Sequence, residues 1–380
     1  MTERTEIAVL TSVHPRGDTR IRIREAGSLA KVLDRTVTLF VQDGKGDSVE
    51  TGGKIRIIDT GRPPAKRAAR MILGVWRMWR AVRTAQPRVV HLHDPELIPL
   101  GVILKCFGYR VVYDVHEDLP RQVLTKYWLP TIARWPVSWT MSACEWLAAR
   151  VFDAIVPAEP KIAGRFPPQK TTLVQNFPIL DELVTADSTP YQERPPHFAY
   201  IGGITRIRGI NEMITALSCT KGIEGQDTQL CLAGAFQPAG LQEEVQASPG
   251  WRQVDFSGWA DRKQVAGILG SVRAGLVVLH PTPKYLDAWP TKMFEYMSVG
   301  LPVIVSDFPL WRGIVENAGC GLLVDPLDPQ AIADAMQWIL DHPAEAEAMG
   351  RRGREAVEKH YYWETEAEKL VTLYNKLLSD

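Results

Sequence analysis

The residues with the clearest chemistry lie in DAWPTKMFEYMSVGLPVI, residues 287–304, where a polar loop reaches Pro290, a helical pattern follows and Gly300 ends it before an apolar run. Pro at the start of a helix and Gly just past its end are the usual punctuation. Lys292 falls in the first turn of that helix and Glu295 one turn in. The positive end of a helix, its unbonded N–H groups and a lysine together suit a diphosphate. An ionised carboxylate accepts hydrogen bonds and donates none, and its two oxygens match the vicinal hydroxyls of a ribose, the role read here for Glu295. Taken without context, the same Glu and Lys also describe an ordinary solvated helix face.

A second cluster is YIGGITRIRGI, residues 200–210, in which a strand runs into Gly202 and Gly203 and a helix begins after Arg208 and Gly209. Glycines let backbone approach a ligand closely, and Arg206 and Arg208 can each grip phosphate oxygens through paired N–H bonds. Two arginines on a surface loop is the competing reading. Near the amino terminus, TSVHPRGDTRIR (11–22) carries Gly17 at the turn into the first helix, where more amides can face the same diphosphate. The GxGxxG of a dinucleotide site is absent. HLHDPELIP (91–99) and VVYDVHEDLP (111–120) each sit just past a strand. Asp94, Glu117 and Asp118 there suit acceptor binding or helix capping equally. His91, His93, Asp94 and Glu96 offer metal-ligand types, with both histidines on one side of a strand, but no distant third ligand is implied and no metal is expected.

The 287–304 stretch resembles the signature of the retaining glycosyltransferases of family four, which have the GT-B fold: an acidic residue, seven residues, then Glu in a helix followed by GxPVI. The pair is Asp287 and Glu295, with Asp287 standing where the family usually carries Glu. Residues 200–210 are similar to the family's strand-GR-loop-KG element, with Gly203 where Arg is usual and Arg208 where Lys is usual. The resemblance implies that Asp287 touches the transferred sugar and that Glu295 binds the donor's ribose. It also implies that His116, just past a strand, contacts the donor's sugar or phosphate, and that anomeric configuration is retained. With Arg206, Arg208, Lys292, Gly17 and Gly203 holding the diphosphate, and Asp94 and Glu117 on the acceptor side, no metal or other cofactor is required. The implied reaction moves a sugar from a nucleoside diphosphate to an acceptor hydroxyl. The acceptor is read as a lipid-linked or growing glycan of a bacterial envelope or exopolysaccharide. A sugar-nucleotide epimerase on the same fold, and a binding subunit that has lost turnover, are the alternatives; product analysis separates them.

These residues need a scaffold, and the pattern supplies one. Short β-branched runs at 6–13, 35–41, 54–58, 88–92, 110–115 and 153–157 alternate with helical stretches, then the alternation restarts at 197–202, 228–234, 252–258, 274–279, 301–306 and 321–325. Continuous apolar strands separated by helices make parallel sheets covered on both faces. The reading is α/β, two doubly wound Rossmann-like domains: 1–180, a linker over 181–196, and 197–360 as the donor domain. A helix over about 361–380, with Ala367, Leu370, Val371, Tyr374, Leu377 and Leu378 at helical spacing, is similar to the family's last helix, which crosses back to the first domain. Ligands are expected at the carboxyl ends of the strands.

Composition sets the outer limits. At 380 residues the chain outgrows one core, and 45% hydrophobic with 23% charged residues is ordinary for a globular protein. Net charge is zero, yet residues 1–180 hold 27 Lys and Arg against 17 Asp and Glu, and residues 181–380 hold the reverse. No motif supports nucleic acid as the partner of the basic half. Five scattered cysteines with no CxxC suggest neither disulfides nor zinc and fit a cytoplasmic protein. No transmembrane or signal segment is evident. RPPAKRAARMILGVWRMWRAVR (62–83) has seven Arg and Lys, no acid, and Trp76 and Trp79, and Trp128, Trp135, Trp139 and Trp146 follow. A cationic, Trp-bearing helix suits peripheral contact with an anionic membrane at the inner face of the cell envelope, against the alternative of helices that cover the sheet and wet their arginines.

Overall fold

The computed structural model describes residues 5–50, 52–65, 69–125, 129–223 and 225–379. The chain divides into two compact units, one of residues 1–176 with 363–380 and one of residues 177–362. Each is built on one sheet. In the first, the described strands are β1 (Ile7–Leu10), β2 (Val37–Val41), β3 (Ser48–Val49), β4 (Ile55–Asp59), β5 (Val89–Leu92), β6 (Arg110–Val115) and β7 (Ala154–Pro157). Their spatial order is β3-β4-β2-β1-β5-β6-β7, parallel throughout except for the two-residue β3, which pairs antiparallel with β4 at an exposed edge. The second sheet holds β8 (His197–Ile201), β9 (Gln229–Ala233), β10 (Val254–Gly258), β11 (Ala274–Val277), β12 (Val303–Ser306) and β13 (Gly321–Val324). Its order is β10-β9-β8-β11-β12-β13.

With the short edge strand set aside, both sheets run third-second-first-fourth-fifth-sixth, the doubly wound order. The direction of winding reverses between β1 and β5 and between β8 and β11, the place where open α/β sheets bind ligands, at the carboxyl ends of the strands. The apolar runs become strands because both faces are covered: every residue of β1, β2, β5, β7, β11 and β12 is buried. In the second unit two apolar cores, one around Phe198, Leu230 and Ile332 and one around Phe294, Met297 and Trp311, line the sheet.

The segment read as a linker carries structure of its own. Leu183 and Tyr191 are buried in the second unit, and Tyr191 Oη donates to Arg273 O at 2.8 Å. The last helix, Trp363–Ser379, belongs to the first unit. Trp363 Nε1 donates to Ser28 Oγ at 2.8 Å, and Glu366 Oε2 accepts from Gln175 N at 2.9 Å. Tyr374 Oη meets His91 Nδ1 at 2.9 Å. Ala367, Leu370, Val371, Tyr374 and Leu377 are buried as the spacing implied, while Leu378 is half-buried.

Gly209 closes the turn Arg206–Arg208 and opens the helix Ile210–Leu217 with φ of 73°. A Cβ there would lie 2.1 Å from the carbonyl oxygen of Val278, backbone that cannot swing aside. Gly209→Ala is expected to cost about 2 kcal/mol or more of stability, seen as a lower midpoint in thermal or urea unfolding. An unchanged midpoint would show that the backbone gives way there.

Candidate active site

In the second unit the site is built at the end of β8. A Cβ on Gly202 would fall 2.3 Å from Lys292 Cε, and one on Gly203 would fall 2.6 Å from Arg208 Nη1. Two cationic side chains therefore occupy space that any other residue at these positions would fill. Arg208 is tied down: Nη1 donates to Gly203 O at 3.0 Å and Nε to Tyr285 Oη at 3.2 Å. Tyr200 Oη donates to Gly203 O at 2.9 Å, and the Lys292 ammonium stands 5.6 Å from the centre of the Tyr200 ring. Helix Thr291–Ser298 is fixed against the strand end by Tyr296, whose buried hydroxyl accepts from Ile201 N at 2.9 Å. Pro290 sits at its N-cap and Gly300, with φ of 71°, follows it. The amides of Thr291 and Met293 already bond the Trp289 and Pro290 carbonyls at 3.0 and 2.9 Å, so side-chain cations carry more of the site's positive potential than free helix amides do.

Glu295 lies one turn further along, its side chain 16% exposed, and Oε1 accepts from Arg262 Nη1 at 3.0 Å. Arg262 in turn is held by Glu182, with Nε to Oε1 at 3.0 Å and Nη2 to Oε2 at 2.5 Å. Arg262 opens helix Arg262–Leu269, whose N-cap Asp261 forms a capping box with Gln264. Asp287 is exposed on the turn before the helix. Arg206 stands apart: half its side chain is exposed and its guanidinium is engaged by Glu244, with Nε to Oε1 at 3.3 Å.

The first unit holds a second constellation at the ends of β1, β5 and β6. Asp94 is buried and organises the loop after β1: Oδ2 accepts from Thr11 Oγ1 at 2.9 Å and from Ser12 N at 2.6 Å. No side-chain cap bond from Asp94 is present. Glu96 accepts from Ser12 Oγ at 2.7 Å. His14 lies between two carboxylates, Nδ1 3.3 Å from Asp18 Oδ2 and Nε2 3.4 Å from Asp94 Oδ1, and the hydrogen bond to Asp18 together with the charge of Asp94 raises its pKa. Gly17 has ordinary backbone, and a Cβ there would meet Arg22 Nη1 at 4.0 Å. Glu117 is exposed. His116 has Nδ1 3.0 Å from Asp114 Oδ1 and Nε2 3.3 Å from His93 Nδ1, so both ring nitrogens are engaged within the unit.

The grouping of His91 and His93 with Asp94 and Glu96 is not the one that forms. The two histidines, buried and facing one side, meet Glu25 and Asp114 instead, with one ligand atom of each within 4.8 Å of the others. Asp94 and Glu96 turn to the loop after β1 because Thr11 and Ser12 offer them donors there. Arg20 lies in the same buried group, Nη2 2.8 Å from Asp114 Oδ2. His14, Arg20, Glu25, Arg262 and Glu182 were not singled out from the sequence. For Arg20 and Glu25 the clue was available, two charges in a helical stretch with apolar neighbours; for Arg262 and Glu182 only the fold brings them to Glu295.

The family model for glycosyl transferases group 1 matches residues 185–356, and that for glycosyltransferase family 4 matches residues 26–166. D-rhamnosyltransferase WbpZ of Pseudomonas aeruginosa is 26% identical over 298 residues, covering 73% of this chain and 71% of that protein. Sucrose-phosphate synthase of Thermosynechococcus elongatus superposes with a TM-score of 0.75 at 20% identity, over 99% of this chain and 100% of its own. The structure of Anabaena HepE with UDP-glucose gives a TM-score of 0.71 at 12% identity, over 98% and 100%.

Burial, with the Arg208 guanidinium close by, brings Lys292 down to about 8. An anion bound there favours the ammonium, so binding takes up a proton once the pH passes that value. Affinity for inorganic pyrophosphate, measured by calorimetry, is expected to fall by up to about tenfold per pH unit above about pH 8. The slope should disappear in Lys292→Met. A flat profile in the wild type would contradict this placement of the lysine.

Proposed function

We propose that this chain, a GT-B-fold glycosyltransferase related to the group 1 and family 4 enzymes, transfers a sugar with retention from a nucleoside-diphosphate sugar bound in the second unit to an acceptor hydroxyl. The observation that carries the reading is the pair of cations at the glycine-lined end of β8, one helical turn from a carboxylate suited to a ribose. As the bond from the sugar's anomeric carbon to the phosphate oxygen lengthens, charge grows on the diphosphate. Arg208 and Lys292 stabilise it in place, each charge-assisted bond contributing on the order of 1.5–3 kcal/mol. The acceptor oxygen forms its new bond on the face the phosphate leaves, and its proton passes to the departing phosphate, so no protein nucleophile is required. Cations of the protein stand where a metal would otherwise serve, which supports a metal-independent reaction. Asp287, near the start of the same helix, is assigned to the transferred sugar; His116, assigned to the donor, has both ring nitrogens taken by Asp114 and His93 and is left its ring carbons for that contact. A donor of the hexose or deoxyhexose class is supported by the named rhamnosyltransferase and by the UDP-glucose complex.

The acceptor is proposed to be a lipid-linked glycan of envelope or exopolysaccharide assembly, and the surface of the first unit supports it. On helix Thr131–Val151, Ile132 and Trp139 are 88% and 69% exposed, with Trp135 and Trp146 also exposed. On the basic segment, Met71, Ile72 and Trp76 are exposed beside Arg77, Arg80 and Arg83. Trp128 lies outside the described residues. No helix among the described residues is long and apolar enough to cross a membrane. Exposed indoles beside arginines fit the interface of an anionic bilayer, at about 1 kcal/mol per nearby cation.

Glu295→Ala is expected to weaken nucleoside-diphosphate binding by about tenfold to a hundredfold and to abolish transfer; a fully active variant would refute the site. Flotation with vesicles containing anionic lipid should carry the protein upward in low salt and release it in high salt. Trp139→Ala with Ile132→Ala should lose that binding, and absence of salt-sensitive flotation in the wild type would end the membrane assignment.

A further inference from the structure

Beneath His116 in the first unit, five ionisable side chains meet out of reach of water: Arg20, Glu25, His91, His93 and Asp114, each 5% exposed or less. Asp114 is the hub. Oδ2 accepts from Arg20 Nη2 at 2.8 Å, and Oδ1 lies 3.0 Å from His116 Nδ1. Arg20 Nε also lies 2.9 Å from Glu25 Oε1. Glu25 Oε2 is 3.6 Å from His93 Nε2 and 3.9 Å from His91 Nδ1, too far for a hydrogen bond. Taken as two ionised carboxylates, the acids leave both Glu25 oxygens buried with no hydrogen-bond partner.

Two carboxylates against one guanidinium leave a charge to be balanced where a buried unpaired charge is very costly. A divalent metal among these four side chains would overshoot, because Arg20 already stands beside one oxygen of each acid and the sum would become positive. A proton on His91 or His93 would create a buried N–H facing Glu25 beyond hydrogen-bond reach, and burial brings His91 down to about 4. A proton on Glu25 balances the set and turns an orphaned acceptor into a donor with Asp114 as its partner. Burial and the Asp114 charge push the Glu25 carboxyl well up, and Arg20 holds Asp114 ionised against its own burial.

We infer that Glu25 is un-ionised in the folded protein and donates to Asp114, which leaves Asp114 as the carboxylate that accepts His116 Nδ1–H and makes Glu25 a positioning residue for His116. The importance of this for turnover rests on the role assigned to His116 above. With Nδ1–H directed to Asp114, His116 Nε2 accepts from His93 Nδ1–H, and His93 Nε2 is left as a bare lone pair, in keeping with the absence of any donor to it. On the far side, Tyr374 of the last helix meets His91 Nδ1, so the same network is reached by the helix that ends the chain.

The full-length protein supplies the test. At about pH 8.5, where Glu145, pushed up to about 7, is ionised, infrared spectra of the wild type should contain the carbonyl stretch of an un-ionised carboxylic acid. Glu25→Gln, whose amide still donates to Asp114, should lack that band. Histidine nitrogen NMR should show the Nδ1–H tautomer of His116 in both proteins. Catalytic efficiency should stay within about threefold in Glu25→Gln and fall about 10²-fold in Glu25→Ala. Absence of the acid band, a doubly protonated His91 or His93 at that pH, or stoichiometric divalent metal released by Glu25→Gln would overturn the inference. The infrared and NMR readouts need no turnover, so a failure of the proposed transfer reaction is distinguishable from a failure here.

Discussion

The second unit depends on an absence of side chains. Gly202 and Gly203 end β8 without Cβ atoms, and the vacated space is taken by the Lys292 and Arg208 side chains, which arrive from two different helical segments. Burial is costly for the Lys292 ammonium and repulsion from Arg208 adds to the cost, which is why the lysine's proton is held loosely. The arrangement is stable because hydroxyls and carbonyls brace it: Tyr285 and Gly203 O on Arg208, Tyr200 beneath Lys292, Tyr296 locking the helix to the strand. Two cations held together at electrostatic expense, at the strand end where sheet winding reverses, are the kind of arrangement an anion would relieve.

The first unit follows a different logic. Two buried aspartates at the ends of neighbouring strands each act as a hub: Asp94 gathers the loop after β1, and Asp114 gathers Arg20 and His116. Such networks hold when every lone pair and N–H is satisfied and are costly when one is not. The histidines beside them are buried and uncharged, so they orient rather than carry charge. His14 differs, being partly exposed and flanked by Asp18 and Asp94, which hold its proton more tightly.

Much of the fold was legible because parallel strands buried on both faces write themselves as unbroken β-branched runs, as at Val37–Val41 and Val303–Ser306. The exposed edge strand Ser48–Val49 carries no such signal. The neighbourhood of Arg208, Lys292 and Glu295 stood out in the sequence because helix punctuation and glycines mark it, and the structure brings Lys292 and Arg208 to the two glycines. That Arg206 meets Glu244, from another helix, while Arg208 meets Tyr285 could not be read from residue type or spacing. Arg262 and Glu182 were hidden for the same reason, since contact with Glu295 depends on tertiary packing and not on any local pattern. The grouping of His91 and His93 with Glu25 and Asp114, in place of Asp94 and Glu96, likewise required the sheet order, which sets β1, β5 and β6 side by side.

Protein cations, unaided, are proposed to hold a pyrophosphate at the end of β8. Calorimetry of a nucleoside diphosphate against the matching monophosphate, in the presence of a strong chelator, measures this directly. The diphosphate should bind about tenfold or more tightly, the worth of one added charge-assisted contact, and the difference should vanish when Arg208 is replaced by Gln. Equal affinities for the two nucleotides, or binding of the diphosphate only when a divalent cation is restored, would contradict it.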